Sequence, residues 1–502
     1  MQIKNNILLI NPAISTKTQE KIVTDVIRAT FPFSLGHLAG YLLQDKSINL
    51  KIVDEQISPL GDGVIQQLIA EMDEPKIIGI STLTPTCSRA YEIADRIKEL
   101  ARDATVIIGG VHASVMPEEG LQHKGVDVVV RGEGEVTFAE LIDRIKNGKD
   151  YSDIQGISIK KDGSIIHNQN RPLIKDLDLL PPFPYSLFEE HIDKYTGFTS
   201  VQTSRGCPYG CIFCSQRSIS GRSYRHVSSE RAVKDMKTLI EKFDARLIRI
   251  MDDNIAANKK RLMGLLNLII KEGLHKKVSF EAPMRGDNMD EELLDKLKEA
   301  NFSLLTFGLE TASDRLMKLI NKGETVDDVV RAIRMTSQKG ISIGTTLIFG
   351  LPTETNKDRW EAMKLVSSLP LDSVRFNILT PYPGTPIYNE LIKENKVLIK
   401  EGWENFSVQY MWQGDDLPYV PDGTNKYELM FFTMFANLWF YIRPSGIWKL
   451  FTKSVAGGNV VSLKKRWYFS SFLFKMIRVG FYLTKRFAII FFRMLVRKTL
   501  GK

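Results

Sequence analysis

Three of the chain's four cysteines fall in the run Gly206-Cys207-Pro208-Tyr209-Gly210-Cys211-Ile212-Phe213-Cys214, while Cys87 is remote in sequence. The spacing is C-x3-C-x2-C. Four cysteines in 502 residues cannot form a disulfide framework, and three crowded together read as a metal or cluster site in a reducing compartment. Three thiolates on a short loop can hold three irons of a [4Fe–4S] cluster, which usually takes four ligands, and leave one iron open for chemistry. Gly206 and Gly210 let such a loop fold closely around its cargo. Structural zinc is the competing reading. It wants a fourth ligand nearby, and His226, twelve residues on, brings no matching pair motif.

The chain on either side reads as α/β. In residues 1–147, apolar β-branched runs at Ile7–Ile10, Leu50–Asp54, Lys76–Thr82, Thr105–Gly110 and Asp127–Arg131 alternate with amphipathic stretches. Runs apolar throughout are what strands buried on both faces require, so a doubly wound parallel sheet is expected. Residues 148–198 read as a linker with a hairpin turning at Asp162-Gly163, then a proline-punctuated stretch through Pro181, Pro182 and Pro184. In residues 199–395, six strand candidates, Ser200–Thr203, Leu247–Met251, Val278–Ala282, Leu304–Leu309, Ser342–Phe349 and Val374–Leu379, are each followed by a helical pattern. This predicts a (βα)6 partial barrel with its functional residues at the carboxyl ends of the strands. Residues 396–502 turn aromatic and basic and are expected to be helical.

The cysteine loop, placed just after the first barrel strand, resembles that of the radical S-adenosylmethionine (SAM) superfamily, and Phe213 matches the family's aromatic before the last cysteine. In that family the open iron chelates SAM, and one electron cleaves it to methionine and a 5′-deoxyadenosyl radical. The resemblance continues at successive strand ends. It implies SAM contacts from Phe213, from Asp252 or Asp253 in place of the family's Gly-Gly-Glu, and from Arg285 toward the carboxylate. Glu310 and Ser313 lie in Gly308-Leu309-Glu310-Thr311-Ala312-Ser313, which looks like the family's Gly-Ile-Glu-Ser segment. Gly350 and Pro381 complete the set.

The N-terminal region resembles a Rossmann-like cobalamin-binding domain. Ser81-Thr82-Leu83 is similar to the Ser-x-Leu element, and Gly109-Gly110 to the Gly-Gly element. Gly132 and Glu133 resemble the class that combines both domains. In Asp54-Glu55-Gln56-Ile57-Ser58-Pro59, Gln56 takes the place of the family's cobalt-ligating histidine, so cobalamin without a histidine lower ligand is expected. Cys87 is read as a small helix or loop residue, His37 as packing on the first helix, and His112 as a satisfied loop histidine. A flavodoxin-like module without a ligand is the bland alternative.

The net charge of +9 belongs to the tail: no acidic residue follows Glu428, and 14 Lys and Arg do. On a helix, Lys464, Lys475, Arg478, Lys485, Arg486, Arg493 and Arg497 share one face, with aromatics elsewhere, the pattern of an in-plane membrane helix. A helix packed on the barrel is the alternative, and nucleic acid is not an expected partner. No window is long and apolar enough to span a bilayer. A cytoplasmic protein is expected, peripheral at the inner face of the membrane where the tail helix meets lipid.

The arrangement resembles cobalamin-dependent radical SAM enzymes, a group that includes anaerobic magnesium-protoporphyrin ester cyclase and lipid and hopanoid methylases. The resemblance implies three cofactors (a [4Fe–4S] cluster, SAM and cobalamin) and a reducing partner such as flavodoxin or ferredoxin. It implies C-methylation of an unactivated carbon of an apolar or lipid substrate. The alternative is a radical cyclase or oxidative rearrangement, acting on an apolar or tetrapyrrole substrate without methyl transfer. A transfer-RNA methylthiotransferase would carry a second three-cysteine set, which this sequence lacks. A non-catalytic iron–sulfur or cobalamin-binding protein would not cleave SAM.

Overall fold

The computed structural model describes residues 5–14, 29–399, 402–407, 416–443 and 484–497. The N-terminal sheet contains β1 (Asn5–Asn11), β2 (Leu50–Asp54), β3 (Met72–Ser81), β4 (Thr105–Gly109) and β5 (Val128–Val130), all parallel, in the order β2-β1-β3-β4-β5. Side chains alternate between two cores, as the two-residue strand period demands. Ile7 and Leu9 of β1 pack with Leu35 and Ala39 of α1 (Phe33–Leu42) on one face. Leu8 and Ile10 belong to the core that holds Ile65 and Leu68 of α2 (Asp62–Ala70) and Ile93 and Ile97 of α3 (Cys87–Leu100) on the other. The helix α4 (Gly134–Lys146) joins α1 through Phe138, Leu141 and Ile142.

The Asp162-Gly163 hairpin does more than connect. Its strands, β6 (Ile157–Lys161) and β7 (Ser164–His167), extend the same sheet antiparallel from β5. The sheet edge next to β5 is thereby paired within the N-terminal unit.

The second sheet holds β8 (Ser200–Val201), β9 (Leu247–Ile250), β10 (Ser279–Met284), β11 (Phe302–Glu310), β12 (Ser342–Phe349) and β13 (Ser373–Ile378). They lie parallel and in sequence order, the arc of a six-stranded partial barrel. Helices at 229–243, 259–271, 291–299, 326–338 and 356–368 follow successive strands. Two of them start with capping boxes, Thr325 with Asp328 and Thr355 with Asp358, which satisfy first-turn N–H groups.

A partial barrel leaves its last strand with an open edge, which is a pairing hazard. Here α5 (Lys426–Ile442) covers it with side chains that act as a strand would. Asn437 Oδ1 accepts from Phe376 N at 3.2 Å and Asn437 Nδ2 donates to Phe376 O at 3.0 Å. The Tyr441 hydroxyl makes the equivalent pair with Val374. Asn437→Ala would leave both buried backbone groups of Phe376 unpaired, at about 1–3 kcal/mol. The urea midpoint of the variant is expected to fall with an unchanged m-value; an unchanged midpoint would show that α5 does not close the barrel in this way.

Candidate active site

The cysteine loop leaves β8 over two adjacent carboxylates. Asp252, fully enclosed, accepts from Thr203 N at 2.6 Å, Thr203 Oγ1 at 2.5 Å and Ser204 N at 3.0 Å. Asp253, beside it, accepts from Gly206 N at 3.0 Å. Gly206 sits at φ +83°, and a Cβ there would lie 2.0 Å from Ser223 O, so glycine is required. Further along, Asn321 Nδ2 donates to Gly210 O at 3.0 Å, Ile212 N to Ile320 O at 3.0 Å, and Ile387 N to Ile212 O at 3.2 Å. The loop is thus fastened to the end of β9, to the turn that ends the 314–319 helix and to the first turn of the 386–393 helix before it holds anything.

Cys207, Cys211 and Cys214 are all free thiols, each partly accessible. Burial raises all three above the ordinary thiol range; neighbouring sulfurs add to the rise at Cys207 and Cys214, the latter pushed up to about 11, and Glu310 adds to it at Cys211. A cluster bound here would have to displace these protons, so its loading would release protons to solvent.

Around the loop lies a buried ionic group. Lys322 Nζ is 3.0 Å from Glu310 Oε1 and 3.6 Å from Glu324 Oε1. Burial works against its charge, yet Glu310, Cys211 and Glu324 hold its pKa above the usual value. Glu310 takes a positive φ of +58°, unusual for a non-glycine residue, where the register of β11 with β12 shifts. Gly308 permits the pair, since a Cβ there would lie 2.3 Å from Glu310 Oε1 and 2.8 Å from Lys322 Nζ. Arg285 is already engaged within the chain. Its guanidinium pairs with Asp287, donates to Lys322 O at 2.9 Å and lies 3.5 Å over the Tyr209 ring. It therefore braces the loop at Tyr209 and near Cys211. Gly350, at φ +84°, is packed beneath Leu429 of α5, and Pro381 is buried. Phe213 packs against the core, and Ser313 stands at the start of the 314–319 helix.

A cavity of about 250 Å³ opens at the carboxyl edge of the N-terminal sheet. Ser81, Leu83, Gly109, Gly110, Gly132 and Glu133 all line it. Gly110 has φ +102°, and a Cβ there would meet Thr82 O at 2.6 Å, so this edge stays open only with glycine. Leu83 is 52% exposed, an apolar surface that none of the described residues covers fully. Gln56 lies outside the lining. Its amide exchanges hydrogen bonds with the Thr30 backbone and donates to Asp54 Oδ1 at 3.3 Å. The far wall comes from the barrel: Gln202 and Arg205 precede the cysteine loop, and Gln216, Ile219 and Ser220 follow it. The sequence pattern gave no hint of that wall.

Comparisons agree with this geometry. Residues 201–366 match the model of the radical SAM superfamily, and residues 22–142 that of the B12 binding domain. A protein of Pyrococcus horikoshii, described as an uncharacterized methyltransferase, is 32% identical over 75% of this chain and 82% of its own length. The chain belongs to the B12-binding radical SAM enzymes. An anaerobic magnesium-protoporphyrin IX monomethyl ester cyclase of Rubrivivax gelatinosus is 26% identical over 84% of this chain and 76% of its own length. Among solved structures, a radical SAM methyltransferase of Kitasatospora setae with cobalamin and a [4Fe–4S] cluster bound superposes with a TM-score of 0.69. It covers 88% of this chain and 92% of that one, at 18% identity.

A [4Fe–4S] cluster, SAM and cobalamin are therefore the cofactors of this radical SAM enzyme, and the three thiols and the glycine-lined cavity fit the first and the last. The two sites are tied together by charge. Glu133 accepts from Arg225 Nη1 at 2.8 Å and from Arg205 Nη1 at 3.2 Å, and Glu135 from Arg205 Nη2 at 2.7 Å. All four side chains are buried, and Arg205 is the residue before Gly206. Removing one member of a buried ion group strands the others, at about 3–5 kcal/mol. Glu133→Gln is expected to lose most of that amount in a denaturation experiment. Combining it with Arg225→Gln should cost less than the sum of the single changes. Strict additivity would mean that no such network exists.

Proposed function

We propose that this enzyme C-methylates an unactivated carbon of an apolar substrate. The observation that carries the reading is the shared wall: residues immediately before and after the cysteine loop line the cobalamin cavity. A substrate placed there would lie between the two cofactors. When bound, the groups supply a 5′-deoxyadenosyl radical for hydrogen abstraction and a transferable methyl group. What the chain itself supplies is position and exclusion of water. On this reading Asp253 faces the amino group of SAM, with Phe213, Glu310, Ser313, Gly350 and Pro381 around the rest of it. Asp252 and Arg285 act by holding the loop. Ser81, Leu83, Gly109, Gly110 and Gly132 receive cobalamin, and a flavodoxin or ferredoxin supplies the electron.

The cyclase of Rubrivivax gelatinosus keeps a second reading in view, oxidative ring closure or rearrangement of an apolar or tetrapyrrole substrate without methyl transfer. Anaerobic turnover with a lipid extract distinguishes them. Methylation predicts that 5′-deoxyadenosine and S-adenosylhomocysteine rise together, with one added methyl on an extract component. If 5′-deoxyadenosine rises alone, the second reading replaces the first.

Burial pushes the Asp253 carboxyl up to about 6. An ammonium group needs the ionised form, so SAM affinity is expected to be full about one pH unit or more above that value, half lost near pH 6 and to keep falling below it. Asp253→Asn should bind more weakly at pH 8 and lose this pH dependence in calorimetric titration. If the variant keeps the wild-type profile, Asp253 is not the contact.

The tail gives the substrate reading a second support. Residues 484–497 form a helix, while Lys464, Lys475 and Arg478 lie outside the described residues. One side of the helix packs on α5 through Phe487 and Phe491 against Phe431, with Ile490 buried. Arg493 and Arg497 lie over the Tyr427 ring. The helix is therefore docked on the body of the protein, and still leaves Ile489, Phe492 and Leu495 exposed, with Trp439 and Ile442 of α5. Among the described residues no helix is long and apolar enough to cross a membrane. The reading is peripheral attachment from the cytoplasmic side, near an apolar substrate. Deleting residues 484–502 is expected to abolish sedimentation with anionic liposomes; unchanged sedimentation would remove this support.

A further inference from the structure

Behind the loops that line the cobalamin cavity lies a second cluster of metal-ligating side chains. Cys87 opens α3, His112 lies two residues beyond Gly110, and Glu119 lies on the following 117–122 helix. The cysteine sulfur, an imidazole nitrogen and a carboxylate oxygen all lie within 4.8 Å of one another. Cys87 and His112 are completely enclosed, while Glu119 keeps 24% of its side chain exposed. We infer that Cys87, His112 and Glu119 form a binding site for a divalent ion of the zinc class, separate from the cofactor sites.

Four features of the geometry support an ion over a simple polar network. His112 Nδ1 is 3.4 Å from Thr84 Oγ1, which leaves Nε2 turned toward Glu119. That nitrogen is buried, 3.6 Å from Glu119 Oε1, and has no hydrogen-bond partner. A buried ring nitrogen left in this state is costly, and an ion would satisfy it. Glu119 is itself oriented from outside, since Trp403 Nε1 donates to its Oε1 at 2.7 Å, and the Trp403 ring stands edge-on to His112 at 5.1 Å. Metal-binding imidazoles and carboxylates are commonly held by such outer partners. The Tyr91 hydroxyl is buried beside Cys87 and Glu119 and stands where a fourth ligand or a bound water would be held.

The donor set of one sulfur, one nitrogen and one oxygen suits zinc better than magnesium or calcium, which prefer oxygen alone. The same three residue types could make a cysteine nucleophile. That role needs a sulfur that substrate can reach, and Cys87 is enclosed. An ion needs only to pass the exposed side of Glu119. On binding, the Cys87 thiol releases one proton to solvent and its hydrogen bond to Thr84 O is given up. The ion would then join the loop after β3, the turn after β4 and, through Glu119 and Trp403, the segment that follows the barrel. Two of those elements carry cavity residues, Leu83 and Gly110.

Metal analysis of the full-length holoenzyme tests this. With its iron–sulfur cluster fully reconstituted, the cysteine loop has no room for zinc. The expected result is about one zinc per chain, with zinc-edge X-ray absorption showing a single sulfur at about 2.3 Å among nitrogen and oxygen neighbours. Cys87→Ser and His112→Gln should each lower zinc content at least tenfold while iron content is kept. Three outcomes overturn the proposal: no zinc retained after incubation with the metal, zinc bound through two or more sulfurs, or zinc content unaffected by either substitution.

Discussion

The architecture depends on the buried ion group of Glu133, Glu135, Arg205 and Arg225. Glu133 and Glu135 belong to the N-terminal unit, and the two arginines to the segment that enters and leaves the cysteine loop. Charges this enclosed are tolerable only when paired, so the two units cannot slide apart without stranding them. Because Arg205 is followed directly by Gly206, whatever fixes the N-terminal sheet also fixes the start of the loop. Asp252 and Asp253 fix the same point from the barrel side. The loop is held from both directions before any cofactor arrives, and such preorganisation is what radical chemistry between two cofactors needs.

The fold was legible in the sequence wherever a strand is buried on both faces. Thr105–Gly110 and Ser342–Phe349 read clearly because each is a short, apolar, β-branched run closed by glycine, a pattern that a helix does not share. The hairpin at 157–167 was legible as a hairpin but not as part of the first sheet, since register with β5 is a tertiary property.

The site was legible in part. Ser81, Gly109 and Gly110, which line the cavity, could be picked out because small residues at strand ends have a local signature. Gln56 had the right sequence position, yet its amide is used up on Thr30 and Asp54, and local spacing carries no information about that. Lys322 was missed for the same reason. It sits in an ordinary helix-ending turn, and only folding brings it against Glu310 and Cys211. The strand glycine Gly308 is its one trace in the sequence, since a strand glycine often marks the close approach of another group. Arg285 is expected from its strand-end position to meet the SAM carboxylate, whereas its partners within the chain are Asp287, Tyr209 and Lys322, which only folding brings to it.

With cobalamin in the glycine-lined cavity and the cluster on the cysteine loop, the two groups would lie on opposite sides of one shared wall. Electron paramagnetic resonance of the holoenzyme, with the cluster reduced and the cobalt in its paramagnetic divalent state, tests it directly. The account predicts a spin–spin interaction that broadens or splits both signals and vanishes when either group is left out. Two unperturbed signals that simply add would contradict it.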